Sequence, residues 1–320
     1  MKLKFKFTFN WALLVILVVL FTVIAIINDV FLSYDYLVGV MLKNIVEIGM
    51  MALTMTLIII TGGIDLSVGS ILVLSAMVGG IAATVGGDIL GVAAALVTGM
   101  ACGLFNGFLI AKIKISPLVT TLATMYLYMG LARSFSKGDS VYSFPASEWL
   151  GYTEFATIPV QLIIYAVLIV IFWFLLSKTT LGRKLFAIGL NENATIYSGI
   201  NTGNVKIAIY FLSGLMCALA GLIWMGRFTS VKFDAGTSLN LKVITIVVLG
   251  GTSIMGGIGD MKGTVLAALI IAVLNSGLTV LNMPIAAQTI VQGVILVISL
   301  VTFSIINSRM AKSRVVVLKT

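Results

Sequence analysis

The sequence predicts an all-α polytopic membrane protein: one transmembrane domain of about ten helices, some broken or half-spanning, with both termini on the cytoplasmic side. Three observations carry that expectation. First, 60 % of the 320 residues are apolar and only 10 % are Asp, Glu, Lys or Arg, against roughly 25 % charged in an ordinary soluble domain; the mean hydropathy is +1.18. Second, apolar runs recur near 11–27, 40–60, 66–84, 90–111, 117–135, 160–177, 207–226, 242–255, 263–281 and 285–306. A run of about 20 residues is what a helix needs to cross the hydrocarbon core of a bilayer. Third, the charges sort by side. With Lys2, Lys4 and Lys6 inside, alternation also places Lys112, Lys114, Lys178, Arg183, Lys184, Lys206, Lys262, Arg309, Lys312, Arg314 and Lys319 inside, fourteen of the 20 basic residues. Asp29, Asp35, Asp88, Asp139, Glu148, Glu154 and Asp234 fall in or beside loops on the other side. Basic residues concentrate in cytoplasmic loops, so the net charge of +9 is a topology signal. It points to a lipid bilayer and not to nucleic acid.

Along the chain, the first run follows three lysines, but no small-residue cleavage site follows Ile27, so it reads as a span that stays attached and not as a secretory signal. The run at 242–255 is short, begins with Lys242 and ends in Gly250-Gly251, and reads as a half-span or broken helix. Cys102 and Cys217 lie inside apolar runs as small packing residues, not as a disulfide framework. The chain has no histidine, which removes the commonest metal ligand and the commonest general base. No nucleophile–base pair or metal constellation is spelled out, so no catalytic residue, metal or cofactor is expected.

Between the second and third runs stands Thr61-Gly-Gly-Ile-Asp-Leu-Ser-Val-Gly-Ser70. Irregular backbone and an ionisable side chain are tolerated at membrane depth only where protein or a water-filled cavity satisfies them, so such breaks mark transport sites. Gly62, Gly63, Asp65, Ser67 and Gly69 are therefore candidate pathway residues, with Asn106 from the fourth run. Asp65 either lines the pathway or caps the helix starting near Leu66, and capping is the preferred reading. A second break, Gly250 to Asp260, holds Gly250, Gly251, Ser253, Gly256 and Gly257. It is not a phosphate-binding loop, because Gly257 stands where Lys is required and Lys262 is followed by Gly263. These glycines let backbones turn sharply and approach closely. Both breaks fall on the cytoplasmic side, unlike the two halves of a five-plus-five inverted repeat, and internal symmetry stays open. Glu47 is expected to pair with Lys43 one turn earlier, and Arg133 and Lys137 to snorkel to the interface. Asn106, Asn275 and Gln292 either bond between helices or face solute.

Two connections are long. The external one, about 136–159, carries Tyr142, Phe144, Trp149, Tyr152 and Phe155 and suits either an aromatic belt or a dock for an extracytoplasmic partner. The internal one, about 178–206, contains Gly182, Arg183, Gly189, Asn191, Glu192, Ala194, Ser198 and Gly199. Asn191 is placed to cap a helix over Glu192–Ser198 that Gly199 stops in a left-handed conformation. A capped helix in the cytosol is a handle for another protein, unless the loop merely returns the chain to the membrane.

Five ordered strings, Thr61–Ser70, Cys102–Lys112, Ile115–Leu122, Gly182–Gly199 and Val247–Gly257 followed by Gly263-Thr264, resemble the ribose-type permeases of bacterial ATP-binding-cassette importers. The resemblance extends from about residue 40 to 300. It implies a subunit that dimerises with itself or a paralogue, binds two cytoplasmic ATPase subunits through the 178–206 loop, and receives a sugar or sugar-like solute from an extracytoplasmic binding protein. The chain departs from that family at Asn240 and Lys242, where many ribose-type members have a Glu-x-Asp pair, and at Ala123 and Met129-Gly130 in place of Gly and Arg-Gly. The stretch Leu241–Leu249 is more similar to the rhamnose and autoinducer-2 branches. A nucleoside or branched-chain amino acid permease of related fold is the nearest alternative. An ATP-independent secondary transporter is the next, disfavoured because no paired intramembrane carboxylates or His relay is present.

The charge distribution makes a direct prediction of topology. In intact cells, single cysteines at Ser136 and Ser147 react with a membrane-impermeant thiol reagent while those at Lys112 and Asn191 do not; labelling of the second pair from outside reverses the orientation.

Overall fold

The computed structural model describes residues 9–295, 297 and 298. Lys2, Lys4, Lys6, Arg309, Lys312, Arg314, Lys319 and the far end of the last apolar run lie outside the described residues. Each of the ten apolar runs contains helix among its described residues, the run at 242–255 only as far as Leu249. In chain order these are α1 (Phe9–Ile27), a short α2 (Tyr34–Tyr36) that continues through a π-helical turn over Leu37–Leu42 into α3 (Lys43–Ile60), α4 (Val68–Ala111), α5 (Pro117–Ser136), α6 (Pro145–Tyr152) and α7 (Val160–Lys178). There follow α8 (Thr180–Leu190), α9 (Glu192–Tyr197), α10 (Thr202–Phe228), α11 (Leu239–Leu249) and α12 (Met261–Val280), then α13 (Ile285–Ile295). Six of these stretches are long and apolar enough to cross a membrane as they stand: α1, Tyr34–Ile60, α4, α7, α10 and α12.

A straight helix of 44 residues would be about 66 Å long, some twice the hydrocarbon core. Instead α4 breaks at Gly87, whose φ of 72° and ψ of −170° are open only to glycine. The two arms then double back on each other. A Cβ on Gly79 would lie 2.9 Å from Gly91 O and from Ala95 Cβ, a separation that residues 12 and 16 apart reach only in a hairpin. The arms are thus the expected spans at 66–84 and 90–111. Between them lies α10, the central helix of the bundle, packed backbone to backbone: a Cβ on Gly214 would run into Gly99 O, and one on Gly103 into Tyr210 O. With no hydrophobic drive between helices in lipid, such close approach of small residues supplies the packing energy.

The short run at 242–255 resolves into a half-span. α11 has 11 residues, about 16 Å of rise, and residues 250–260 are not helical. The chain enters α11 from a re-entrant segment. Val231 and Ser230 pair with Val141 and Tyr142 in a two-stranded ladder at the α6 end of the bundle, yet five residues later Gly236 is in backbone contact with Gly69, the second residue of α4.

Two expectations are corrected. The connection at 136–159 is not a loop: it holds α6 and a second two-stranded ladder, Glu154–Phe155 with Ile158–Pro159. α6 is held against the end of α10 by contact of Gly226 with the Ser147 carbonyl. Tyr142, Trp149, Tyr152 and Phe155 remain exposed while Phe144 is buried. Because Ser136 and Ser147 are both buried, orientation is read better at Tyr142 (73 % exposed) against Tyr197 (91 % exposed). Secondly, Glu47 and Lys43 do not pair. Helical side chains lean toward the N-terminus, so the long Lys43 stem reaches away from Glu47 to Glu154, 3.2 Å away. Glu47, 1 % exposed, instead meets Arg227 from the end of α10 at 3.4 Å.

Substitution of Gly214 by leucine tests the packing of α10. Overpacking against the Gly99 carbonyl has no flexible side chain to displace, and a loss of about 3 kcal/mol or more is expected. Detergent-purified variant protein should unfold well below the parent temperature, whereas Gly130→Leu, at a position open to its surroundings, should leave it unchanged.

Candidate functional site

Three of the sequence motifs converge at the first glycine break. α3 ends at Ile60, and Gly62 turns the chain at φ 79°. Asp65 is 0 % exposed, and its Oδ1 accepts from the backbone N–H and the hydroxyl of Ser67 at 2.9 and 2.6 Å. The Ser67 hydroxyl accepts from Asn106 Nδ2 at 2.8 Å, and Tyr128 donates to Asn106 Oδ1 at 3.0 Å. Thr121 donates to the Ile64 carbonyl at 3.2 Å. A polar chain therefore runs from Tyr128 in α5 through Asn106, near the C-terminal end of α4, to Ser67 and Asp65 just ahead of the first turn of α4. Ser213 of α10 faces the carboxylate, with its hydroxyl and Asp65 Oδ2 both lacking a hydrogen-bond partner among the described residues.

This geometry corrects the expected cap. α4 begins at Val68 with Ser67 in the N-cap position and no side-chain cap, so Asp65 is two residues too early and closes an Asx-type turn onto Ser67 instead. The first turn of α4 is capped in trans. Gly69 N donates to Asn240 Oδ1 of α11 at 2.8 Å, which is why a side chain on Gly69 would collide with Asn240 and Gly236.

The second break and the 178–206 segment meet the first at one end of the bundle. Gly251, Gly256 and Gly257 take φ of 87°, 83° and 74°, Gly250 packs on the backbone of Gly263, and Ser253 N bonds to Ile258 O at 2.9 Å. Gly257 N donates to Ile60 O at 2.8 Å, joining the loop after α11 to the last residue of α3. α8 lies across this junction. A Cβ on Gly189 would strike Ile60 O and Gly257 N, and one on Gly256 would come within 3.0 Å of Gly62 N and 3.1 Å of Gly189 Cα. Gly62, Gly189, Gly256 and Gly257 are thus a clasp of bare backbone.

Beyond the clasp, Asn191 caps α9 as expected, accepting from Ala194 N at 3.0 Å. The helix stops at Tyr197, one residue before Ser198, and Gly199 follows at φ 81°. Glu192 ties α9 to Lys206 at 2.6 Å. Gly182 makes the tight α7–α8 corner against Leu176 O. Arg183, Ala194 and Ser198 are exposed, as are Leu190, Ile196 and Tyr197. Sequence reasoning missed α8 itself, although Leu181, Leu185 and Ile188 recur at helical spacing behind Thr179, whose hydroxyl accepts from Gly182 N.

The opposite end of α10 opens on a polar cavity of about 210 Å³. Tyr36, Asn44 and Ile48, then Trp224, Arg227 and Phe228, line it from α2, α3 and α10; Leu239 and Lys242 come from α11, Asn275 from α12, and Gln288 and Gln292 from α13. Trp224 and Phe228 stack obliquely with centroids 4.7 Å apart. Gln292 donates to Asn275 at 2.7 Å, Tyr36 to the Ser276 carbonyl at 2.7 Å, and Arg227 to Asn44 Oδ1 at 2.6 Å and to the Lys43 carbonyl. Asn275 and Gln292, left open by sequence, are cavity residues; Asn106 is an interhelical bond. Asp65 does not line this cavity.

Residues 37–300 match the family described as the permease component of the branched-chain amino acid transport system. The chain belongs to this permease family. It is 39 % identical over 287 residues to the ribose import permease of Bacillus subtilis, covering 88 % of this chain and 89 % of that one. It is 36 % identical over 306 residues to the ribose import permease of Escherichia coli K12, covering 92 % and 94 %. To the autoinducer 2 import system permease of Klebsiella pneumoniae it is 35 % identical over 308 residues, covering 92 % and 91 %. No solved structure matches. Membership of this family makes the chain a multi-pass membrane permease subunit and not an enzyme.

Asp65 carries a prediction of its own. Asp65→Asn keeps an acceptor for Ser67 and offers Ser213 a donor, so uptake and thermal stability stay near the parent's. Asp65→Ala leaves the buried Ser67 N–H unpaired at a cost of about 1–3 kcal/mol and lowers the unfolding temperature. Equal loss of uptake in both variants at normal membrane levels would show that the charge, not the turn, is what counts.

Proposed function

We propose that this permease translocates a monosaccharide or sugar-like solute across the cytoplasmic membrane, driven by ATP that partner subunits hydrolyse. The observation that carries the reading is the backbone clasp at Gly189. It touches the inner ends of two elements, α3 through Ile60 and the α11 loop through Gly257, and the far ends of those same elements, Asn44 and Ile48 on α3 and Leu239 and Lys242 on α11, line the cavity. A displacement of α8 is therefore passed along two rigid helices to the solute path, about 24 Å along α3 and 16 Å along α11.

The remaining partners follow from the same layout. The α8–α9 end is cytoplasmic by its charge, with Arg183 and Lys184 exposed there, and its exposed Leu190, Ile196 and Tyr197 form the contact for an ATPase subunit. The cavity end faces outward, where the ladder and α6 shelf receive a solute-binding protein. A second permease chain, identical or paralogous, completes the unit. Ribose or an autoinducer-2 type molecule is what the relatives' names carry over; the cavity chemistry agrees, since a Trp–Phe pair ringed by Asn and Gln amides suits the apolar face and hydroxyl edge of a sugar ring.

Gly189→Val places a side chain against two backbones that cannot yield. Membrane insertion and recovery of the ATPase in a pull-down should persist, because the exposed docking side chains are untouched, while solute uptake falls at least tenfold. Replacement of Glu192–Ser198 by a Gly/Ser stretch should abolish both ATPase recovery and uptake. If uptake in both variants equals the parent's, the importer reading fails and transport without an ATPase takes its place.

A further inference from the structure

We propose that the solute carries a negative charge, as in a sugar acid, and that Lys242 is the residue that recognises it. The inference rests on the cavity being the solute path. The charges around the cavity can be accounted for one by one. Lys43 is paired with Glu154 at 3.2 Å, and Arg227 with Glu47 at 3.4 Å. Arg227 also donates to Asn44 and the Lys43 carbonyl, so its charge is met by Glu47 and three of the five guanidinium donors hold the wall. Lys242 is the exception. Half-buried and lining the cavity, it has no ion pair or hydrogen bond among the described residues. Among the described residues no Asp or Glu lines the cavity.

A cation held at membrane depth is costly unless it has a partner, and with no anion offered by the described residues around the cavity the partner is a molecule that enters it. The neighbouring groups fit the rest of such a molecule. Trp224 and Phe228 offer an aromatic face, Asn275 and Gln292 amide donors and acceptors, and Gln288 a third amide on the same rim. A carboxylate on Lys242 with hydroxyls on the amides places a polyhydroxylated ring over the Trp–Phe pair. A neutral sugar would satisfy the amides and leave the ammonium bare.

The test uses the full chain in lipid nanodiscs, with D-ribonate and D-ribose as probes and quenching of Trp224 fluorescence as the readout; a Trp224→Phe protein identifies the signal among the other three tryptophans. Ribonate is expected to bind at least tenfold more tightly than ribose, with an advantage that shrinks as salt rises. Lys242→Gln should bring the two to parity without weakening ribose, and Lys242→Arg should restore the preference. Equal binding of both probes, unmoved by Lys242→Gln, overturns the charge assignment while leaving the sugar cavity standing. The same holds if Lys242→Gln weakens both alike, which marks a structural lysine. Quenching by neither probe overturns the cavity as the solute path, and this inference with it. Thermal unfolding of each variant confirms that a fold change is not the cause.

Discussion

Lipid offers no hydrogen bonds, so every backbone group that leaves helical geometry inside the membrane must find its partner in the protein. Much of this structure follows from that one constraint. The segment after α3 is satisfied by Thr121 at the Ile64 carbonyl, by Asp65 at Ser67 N, and by Asn240 at Gly69 N. The segment after α11 closes on itself at Ser253 and Ile258 and reaches back to Ile60 through Gly257. Each break is therefore paired to a different helix, and neither could be irregular alone. The polar residues of the two motifs are present less as ligands than as the hydrogen-bond partners that make broken helices affordable in lipid.

The glycines follow from the same constraint at shorter range. For Gly257 N to reach Ile60 O, α8 must let two backbones meet beneath it, and only a residue without a Cβ fits at 189. At Gly256 and Gly257 the positive φ adds a second reason. The contact at Gly69 with Gly236 is the counterpart deeper in the bundle. At these junctions backbone meets backbone, so a side chain at any of them would push the packed elements apart.

Most of the architecture was legible in the chain. Ten apolar runs and two glycine breaks placed the spans, because lipid imposes a length and a composition that a single sequence records directly. The half-span α11 was visible as a run that was too short, and Asn191 as a cap with Gly199 behind it. What was not legible depends on pairing across the sequence. Asp65 looked like a cap, but the acceptor for the first turn of α4 comes from Asn240, 171 residues away. Glu47 looked paired with Lys43 by spacing, but the direction in which helical side chains lean sends Lys43 to Glu154 and leaves Glu47 to Arg227. The cavity was missed as a whole, since its residues are single polar positions on α2, α3, α10, α11, α12 and α13, with no local pattern. Asn275 and Gln292, polar positions inside apolar runs, were the sequence's partial signal for it, and Arg227, just past the end of another run, was a further one.

The two ends of the bundle are held by different physics. At the cavity end, Arg227 joins α10 to α3 through Glu47, Asn44 and the Lys43 carbonyl, and Lys43 joins α3 to the Glu154 ladder. Removing one partner of the buried Arg227–Glu47 pair strands a charge and costs about 3–5 kcal/mol, whereas the half-exposed Lys43–Glu154 pair adds about 1 kcal/mol or less. At the α8 end, the same helix α3 is held without charge: Leu57, Ile58, Ile59 and Ile60 are buried in the apolar core, Thr56 bonds to Thr264 of α12 at 2.8 Å, and Ile60 O accepts from Gly257 N. Charge therefore fixes α3 at its cavity end, and apolar packing and backbone fit hold it at the other. The charged end lies on the wall of the cavity at Asn44 and Arg227, so the ion pair that fixes α3 also fixes the shape of that wall.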